Sequence, residues 1–178
     1  MGLDNLKETR KNSITVGYLF EVNRRRLNLR MLNGEVGFSR EVVDKNIHRP
    51  GLALAGYVEL FTYNRVQVFG NTEIRYLNHL TLKERSKAFQ NIMEFQLPCI
   101  IVTNGNTLDE ELLQLATKHQ VSILQTPFET TKFLYFLSDF LDDQFAPQSA
   151  VHGSFVDVYG IGVLLIGRSG IGKSEVAL

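Results

Sequence analysis

Cysteine is nearly absent from this chain: Cys99 is the only one in 178 residues, so no internal disulfide can staple it. That residue sits in the apolar run Cys99-Ile100-Ile101-Val102, which reads as a buried strand carrying an inert thiol. Net charge is absent as well. Nineteen Lys and Arg balance nineteen Asp and Glu, so no large field draws the chain to nucleic acid or to an anionic membrane. The one basic cluster, Arg24-Arg25-Arg26 followed by Arg30, reads as a solvated helix face. A long hydrophobic run is also missing: Phe133-Leu134-Tyr135-Phe136-Leu137 stops at Ser138-Asp139, far short of the roughly 20 residues that cross a bilayer. The start, Met1-Gly2-Leu3-Asp4-Asn5, lacks the charged head and apolar core of a secretory signal. There is no internal repeat, low-complexity segment or Gly/Ser linker. The expectation is therefore a cytoplasmic globular protein with no nucleic-acid and no membrane partner. An apolar fraction of 44% suffices for one full domain, or for one domain and part of a second.

From its middle onward the chain alternates strand and helix signals. Arg65-Val66-Gln67-Val68-Phe69 alternates with period two and ends at Gly70, which predicts a strand. Two helices follow, the second opened by the capping box Thr81-Leu82-Lys83-Glu84 and running toward Phe95 before Pro98. Cys99 to Thr103 is the next strand, turned by Asn104-Gly105-Asn106. Thr107-Leu108-Asp109-Glu110 reads as a second capping box, with an apolar stripe of Leu108, Leu112, Leu115 and Ala116 behind it. Val121 to Leu124 is a third strand, leading to a helix from about Thr131 to Leu141. Nearer the start, Ile14 to Leu27 reads as a helix and Leu29 to Leu32 as a short strand. Strands joined by helical crossovers imply a parallel sheet. The fold class is thus α/β. Residues 1–130 form an N-terminal domain with a mostly parallel sheet, and 131–178 hold a connector helix and the incomplete beginning of a second domain.

The most informative stretch is Gly167-Arg168-Ser169-Gly170-Ile171-Gly172-Lys173-Ser174, a full match to G-x-x-x-x-G-K-[ST], preceded by the apolar run Val163-Leu164-Leu165-Ile166. Glycines let successive backbone N–H groups turn inward to phosphate oxygens, Lys173 neutralises charge between the outer phosphates, and the Ser174 hydroxyl suits a magnesium ion. ATP and Mg2+ are the expected ligands. The sequence stops at Leu178, without the further carboxylates and strands that phosphoryl transfer needs. It is either a piece of a longer protein or a degraded copy, and the first is expected.

Upstream of the loop, Ser154 to Tyr159 predicts a strand, Gly160-Ile161-Gly162 a three-residue turn and Val163 the start of the return strand. With Tyr159 facing Val163, Ser154 falls opposite Arg168 and His152 near Gly170. There His152 could donate to a phosphoryl oxygen or steer a proton-abstracting group, or it could be a strand entry with its ring on backbone. Asp157 alternates with Phe155 and Tyr159 and reads as structural. His48, Arg49 and Tyr57 have the side chains of a site, but Pro50, Gly51 and Gly56 set a turn that accounts for them as packing neighbours. His79 and His119 lie at helix C-termini, where a cation is favourable, and receive no ligand role.

These residues carry a resemblance. The segment His152-Gly153, Val156-Asp157-Val158-Tyr159-Gly160, Gly162-Val163-Leu164, Gly167 and Ser169 to Glu175 resembles the start of the catalytic domain of bacterial HPr kinase/phosphorylase. Arg49-Pro50-Gly51-Leu52, Leu54-Ala55-Gly56-Tyr57, Arg65-Val66-Gln67, Gly70, Glu73, Pro98 to Val102 and Ala146-Pro147 are similar, in order, to that family's N-terminal domain and connector. The resemblance implies the truncated beginning of a P-loop kinase domain after residue 130. It implies a bifunctional, homohexameric enzyme of carbon catabolite regulation. Such an enzyme phosphorylates a serine of the phosphocarrier protein HPr with ATP and reverses this by phosphorolysis. By position, His152 and Lys173 match catalytic residues, Gly167 to Ser174 the nucleotide loop, and Ser174 the magnesium ligand. The family's catalytic aspartate, second metal carboxylate, catalytic arginine and HPr-gripping loop belong beyond Leu178, so the chain alone is expected to be inactive. The alternatives are a non-catalytic regulatory or assembly module and a generic P-loop nucleotide hydrolase.

Overall fold

The computed structural model describes residues 7–151, 153–167 and 170–176. Its contacts divide into two compact units, Asn12–Phe145 and a smaller one formed by residues 1–11 with 146–178. Along the chain the elements are β1 (Glu8–Thr9), β2 (Ile14–Thr15), α1 (Val16–Asn23), β3 (Arg30–Met31), β4 (Glu41–Val42), β5 (Ile47–His48), α2 (Gly51–Leu54), β6 (Val66–Phe69) and α3 (Asn71–His79). They continue with α4 (Leu82–Met93), β7 (Cys99–Val102), α5 (Glu110–Lys118), β8 (Ser122–Gln125), α6 (Thr130–Phe145), β9 (Gln148–Ser149), β10 (Gly153–Val158), β11 (Ile161–Ile166) and α7 (Lys173–Val176).

The larger unit is built on a five-stranded sheet of order β3-β8-β7-β6-β5, parallel except for the antiparallel β3–β8 pair. From β5 to β8 the strands step across the sheet in one direction, and right-handed crossovers then place their helices on one face. There Ala53, Leu54, Leu77, Phe89, Ile92 and Leu112 pack on Phe69, Ile100, Val102 and Ile123. The opposite face is covered by α1 and α6, whose Leu19, Phe20, Phe133, Leu137 and Leu141 pack on Val66, Val68, Cys99, Ile101 and Leu124. Burial on both faces is why β6 and β7 read as nearly continuous apolar runs. Cys99 is fully buried, and that burial pushes its thiol pKa up to about 12.

Helix ends follow their caps, with two corrections. Thr81 accepts from the Glu84 N–H while Glu84 Oε2 accepts from the Thr81 N–H at 3.0 Å, the expected reciprocal box. The helix after Asn106 is capped by Asp109, not Thr107: Asp109 Oδ1 accepts from the Leu112 N–H at 3.1 Å, and its other oxygen takes Arg85 Nη1 at 2.7 Å. The buried Leu108 fixes the entry of the chain, and the helix begins only after it. The predicted helix from Ile14 to Leu27 is shorter as well. Ile14 and Thr15 pair with β4, Thr15 caps α1, and Asn28 leaves the following turn at φ 48°. Among the described residues no helix is long and apolar enough to cross a membrane.

The smaller unit pairs β1 with β9 and β10 with β11, both antiparallel. Phe155, Val158, Ile161, Leu164 and Ile166 of this hairpin are all exposed.

Candidate functional site

The hairpin that feeds the glycine loop turns earlier than its glycines suggest. Val158 pairs with Ile161, so the turn is the dipeptide Tyr159-Gly160, with φ of 52° and 82°. Two positive φ values mark the tight hairpin turn whose twist matches that of its strands. Asp157 Oδ1 accepts from the Gly160 N–H at 2.8 Å, which gives that side chain the structural role expected of it. Gly162 is not a turn residue. A Cβ there would stand 2.5 Å from Phe155 Cζ, so the glycine makes room for that ring. The register moves accordingly: Ser154 faces Leu165 and Gly153 faces Ile166, not Arg168 and its neighbours. His152, Arg168 and Ser169 lie outside the described residues.

From β11 the chain runs through Gly167 into the loop and then α7. Gly170 and Gly172 sit at φ 81° and 88°, backbone that other residues adopt only under strain. At Gly172 the carbonyl accepts from the N–H groups of Glu175 and Val176, both at 3.1 Å, which starts the helix immediately after the glycine. Lys173 Nζ reaches back to the Gly167 carbonyl at 2.8 Å and so closes the loop on itself. A concavity of about 470 Å3 results, lined by Gly153 and Ser154 from β10 and by Gly170, Gly172, Lys173, Ser174 and Glu175. Ile171 points outward, with 68% of its surface exposed.

The structure therefore gathers Gly170, Gly172, Lys173 and Ser174 at one cavity, with Gly167 tied to it through Lys173. The donor set fits a polyphosphate: an ammonium, a hydroxyl, and at Gly170 a glycine with room above it, since nothing lies within 4 Å of a Cβ built there. No group of three or more His, Cys, Asp or Glu forms a metal cage among the described residues. A hard divalent cation here would share its oxygens between the Ser174 hydroxyl and a bound phosphate. Glu175 and Ser154 also line the cavity without having been singled out. The carboxylate directly after the Lys-Ser pair was the available signal for Glu175, whereas Ser154 depended on the hairpin register.

The larger unit carries a second polar constellation, at the carboxyl ends of its parallel strands. Arg49 Nη2 donates to Glu73 Oε2 at 2.7 Å, and that oxygen also accepts from the Gly70 N–H at 2.8 Å. Next to it, Thr103 and Thr130 share a hydroxyl–hydroxyl bond of 2.7 Å, and Asn104 Nδ2 donates to Thr130 Oγ1 at 2.8 Å. His48 Nδ1 is 2.8 Å from Thr62 Oγ1, and burial first, then the charge of Arg65, hold the ring below its ordinary pKa.

Fold and loop together define the class: an α/β domain followed by the strand, glycine loop and helix start of a phosphate-loop protein. The chain belongs to the HPr serine kinase family. Residues 14–141 match the family model described as HPr Serine kinase N terminus, and residues 143–178 match the HPr Serine kinase C-terminal domain. Among its curated relatives is an HPr kinase/phosphorylase of Chloroherpeton thalassium, 54% identical over 97% of this chain and 51% of that protein. Another, from Prosthecochloris aestuarii, carries the same name and is 52% identical over 100% of this chain and 53% of its own length. The chain thus spans about half the length of the curated relatives it matches. Among solved structures, the CBS and DRTGG domains of the regulatory region of Clostridium perfringens pyrophosphatase, complexed with the activator diadenosine tetraphosphate, share its fold. The TM-score is 0.51 at 15% identity, covering 71% of this chain and 49% of that one.

Proposed function

We propose that this chain is the N-terminal part of a cytoplasmic, homohexameric HPr kinase/phosphorylase. Such an enzyme transfers the γ-phosphoryl group of ATP to a serine of HPr and reverses the transfer by phosphorolysis. The observation that carries this reading is the tandem match of both family domains, in order, along a chain whose relatives of that name are about half identical to it. In this reading the loop from Gly167 to Ser174 grips the nucleotide phosphates. Lys173 gives up the Gly167 carbonyl for a phosphoryl oxygen and stabilises the charge of the transferring group, where most of the catalysis of such a reaction lies. Bound Mg2+ would neutralise phosphate charge, with Ser174 supplying a protein oxygen. His152 would donate to a phosphoryl oxygen or orient the group that takes the serine proton. In the reverse direction inorganic phosphate attacks phosphoserine, giving free serine and pyrophosphate.

The test uses the protein of the full reading frame, purified HPr, Mg2+ and ATP. Serine phosphorylation of HPr is expected, as is release of pyrophosphate when phospho-HPr meets inorganic phosphate. Lys173→Ala should lower the forward rate by a factor of about 100 or more, as losses of transition-state charge stabilisation do. HPr left unmodified while ATP is hydrolysed would replace this reading with a generic nucleotide hydrolase, and wild-type rates in Lys173→Ala would remove the lysine from the chemistry.

A further inference from the structure

The larger unit contains a cavity that the phosphate-loop reading does not use. It lies just beyond the carboxyl end of the edge strand β5, the side of an open parallel sheet on which ligands gather. Its volume is about 130 Å3, and its walls are His48, Arg49, Leu52, Tyr57, Leu60 and Phe61, with Ala53 at its base. Arg49 is held from behind. Its Nη2 donates to Glu73, which is itself anchored on the Gly70 N–H, and the Glu73 side chain is 4% exposed against 41% for Arg49. Gly70 makes space for this arrangement, since a Cβ there would stand 3.0 Å from Arg49 Nη2 and 2.8 Å from Thr130 Oγ1. A guanidinium has five N–H groups. Among the described residues only an Nη2 group of Arg49 meets a protein acceptor, so the Nε and Nη1 donors remain open.

The rest of the cavity is apolar. Leu52 and Leu60 stand 69% and 74% exposed around it, and Phe61 and Tyr57 supply aromatic walls. A cavity of roughly 150 Å3 lined by such side chains accepts a benzene ring, so this space suits one small planar ring. A latch between Arg49 and Glu73 accounts for the buried carboxylate and for Nη2. It leaves unexplained why two large leucines stand open beside unused guanidinium donors.

We propose that this cavity is a binding site for a small planar organic acid, with its carboxylate on Arg49 and its ring between Leu52, Tyr57, Leu60 and Phe61. His48, whose Nδ1 is committed to Thr62, offers Nε2 as a further polar contact. The site belongs to the larger unit and does not depend on the nucleotide reading of the loop.

The probes are benzoate, benzamide and acetate, titrated into the nitrogen-labelled 178-residue chain and followed by amide and arginine NMR signals. Benzoate should give saturable shifts at Arg49 Nε–H and at the amides of Leu52, Tyr57 and Leu60. Benzamide, which keeps the ring and loses the charge, and acetate, which keeps the charge and loses the ring, should each bind at least about tenfold more weakly. Arg49→Gln should abolish the selectivity for benzoate over benzamide. Leu60→Asp changes a residue exposed enough to leave folding intact; it takes away one apolar wall and adds a like charge, so it should weaken benzoate severalfold and benzamide less. Equal binding of benzoate and benzamide, shifts confined to the glycine loop, or indifference of benzoate to Leu60→Asp would each overturn the proposal.

Discussion

Glu73→Ala tests how the carboxyl edge of the sheet is held together. The wild-type carboxylate accepts from the Gly70 N–H at 2.8 Å and from Arg49 Nη2 at 2.7 Å, at a side chain only 4% exposed. Alanine leaves the Gly70 N–H buried without an acceptor, which costs about 1–3 kcal/mol, and also removes a charge-assisted bond worth about 1.5–3 kcal/mol in a buried setting. The second figure must be discounted heavily, because Arg49 is 41% exposed and regains water once its partner is gone. The expected loss is therefore about 2–4 kcal/mol, a large share of a typical domain's stability. Glu73→Gln can set its carbonyl oxygen where Oε2 stands, keeping both acceptor contacts and losing only the charge, so it should cost about half as much. Urea unfolding followed by far-ultraviolet circular dichroism reads this directly, since among the described residues six of the seven helices belong to the larger unit. A loss below about 0.5 kcal/mol for Glu73→Ala, the range of an ordinary surface change, would refute the argument, as would equal losses for both variants.

Two further outcomes are expected. His48 has a folded-state pKa held below its ordinary 6.5 by burial first and by Arg65 second, so folding favours the neutral ring. Its stabilisation is complete above about pH 6.5 and is lost as pH falls through the lower folded-state value; unfolding free energies of wild type and His48→Gln should draw together between pH 7 and 5, and a constant gap would contradict this. Tyr159 sits fully exposed at φ 52°, a conformation that costs a side chain with a Cβ roughly 1 kcal/mol or more. Tyr159→Asn should therefore stabilise the hairpin by about 0.5–1 kcal/mol, measured as slower amide hydrogen exchange from Val158 to Ile161, and faster exchange would show that the tyrosine ring holds the turn.

What the sequence reveals here depends on how far apart the interacting residues are. β6, β7 and β8 were legible because both sheet faces are buried, which writes each strand as an apolar run. The capping box at Thr81 and Glu84 and the glycine loop from Gly167 to Ser174 were legible because their partners lie within a few residues of one another. Thr107 misled because a threonine three residues before a glutamate is only half of a cap: the helix start was decided by where Leu108 could be buried, which no local pattern records. The hairpin misled for a related reason. Three residues, Gly160-Ile161-Gly162, looked sufficient for the turn, yet the ring of Phe155 needed Gly162 as open space, and a tyrosine took the positive φ instead. That single exchange moved the register by three positions, and because a strand's faces alternate, an odd shift also reverses which side chains meet the loop. Arg49 and Glu73 are 24 residues apart and become neighbours only through the parallel pairing of β5 with β6. The loop itself could be read without a fold, whereas the residues that face it, and the second cavity on the other unit, follow from strand pairing, which a local motif does not encode.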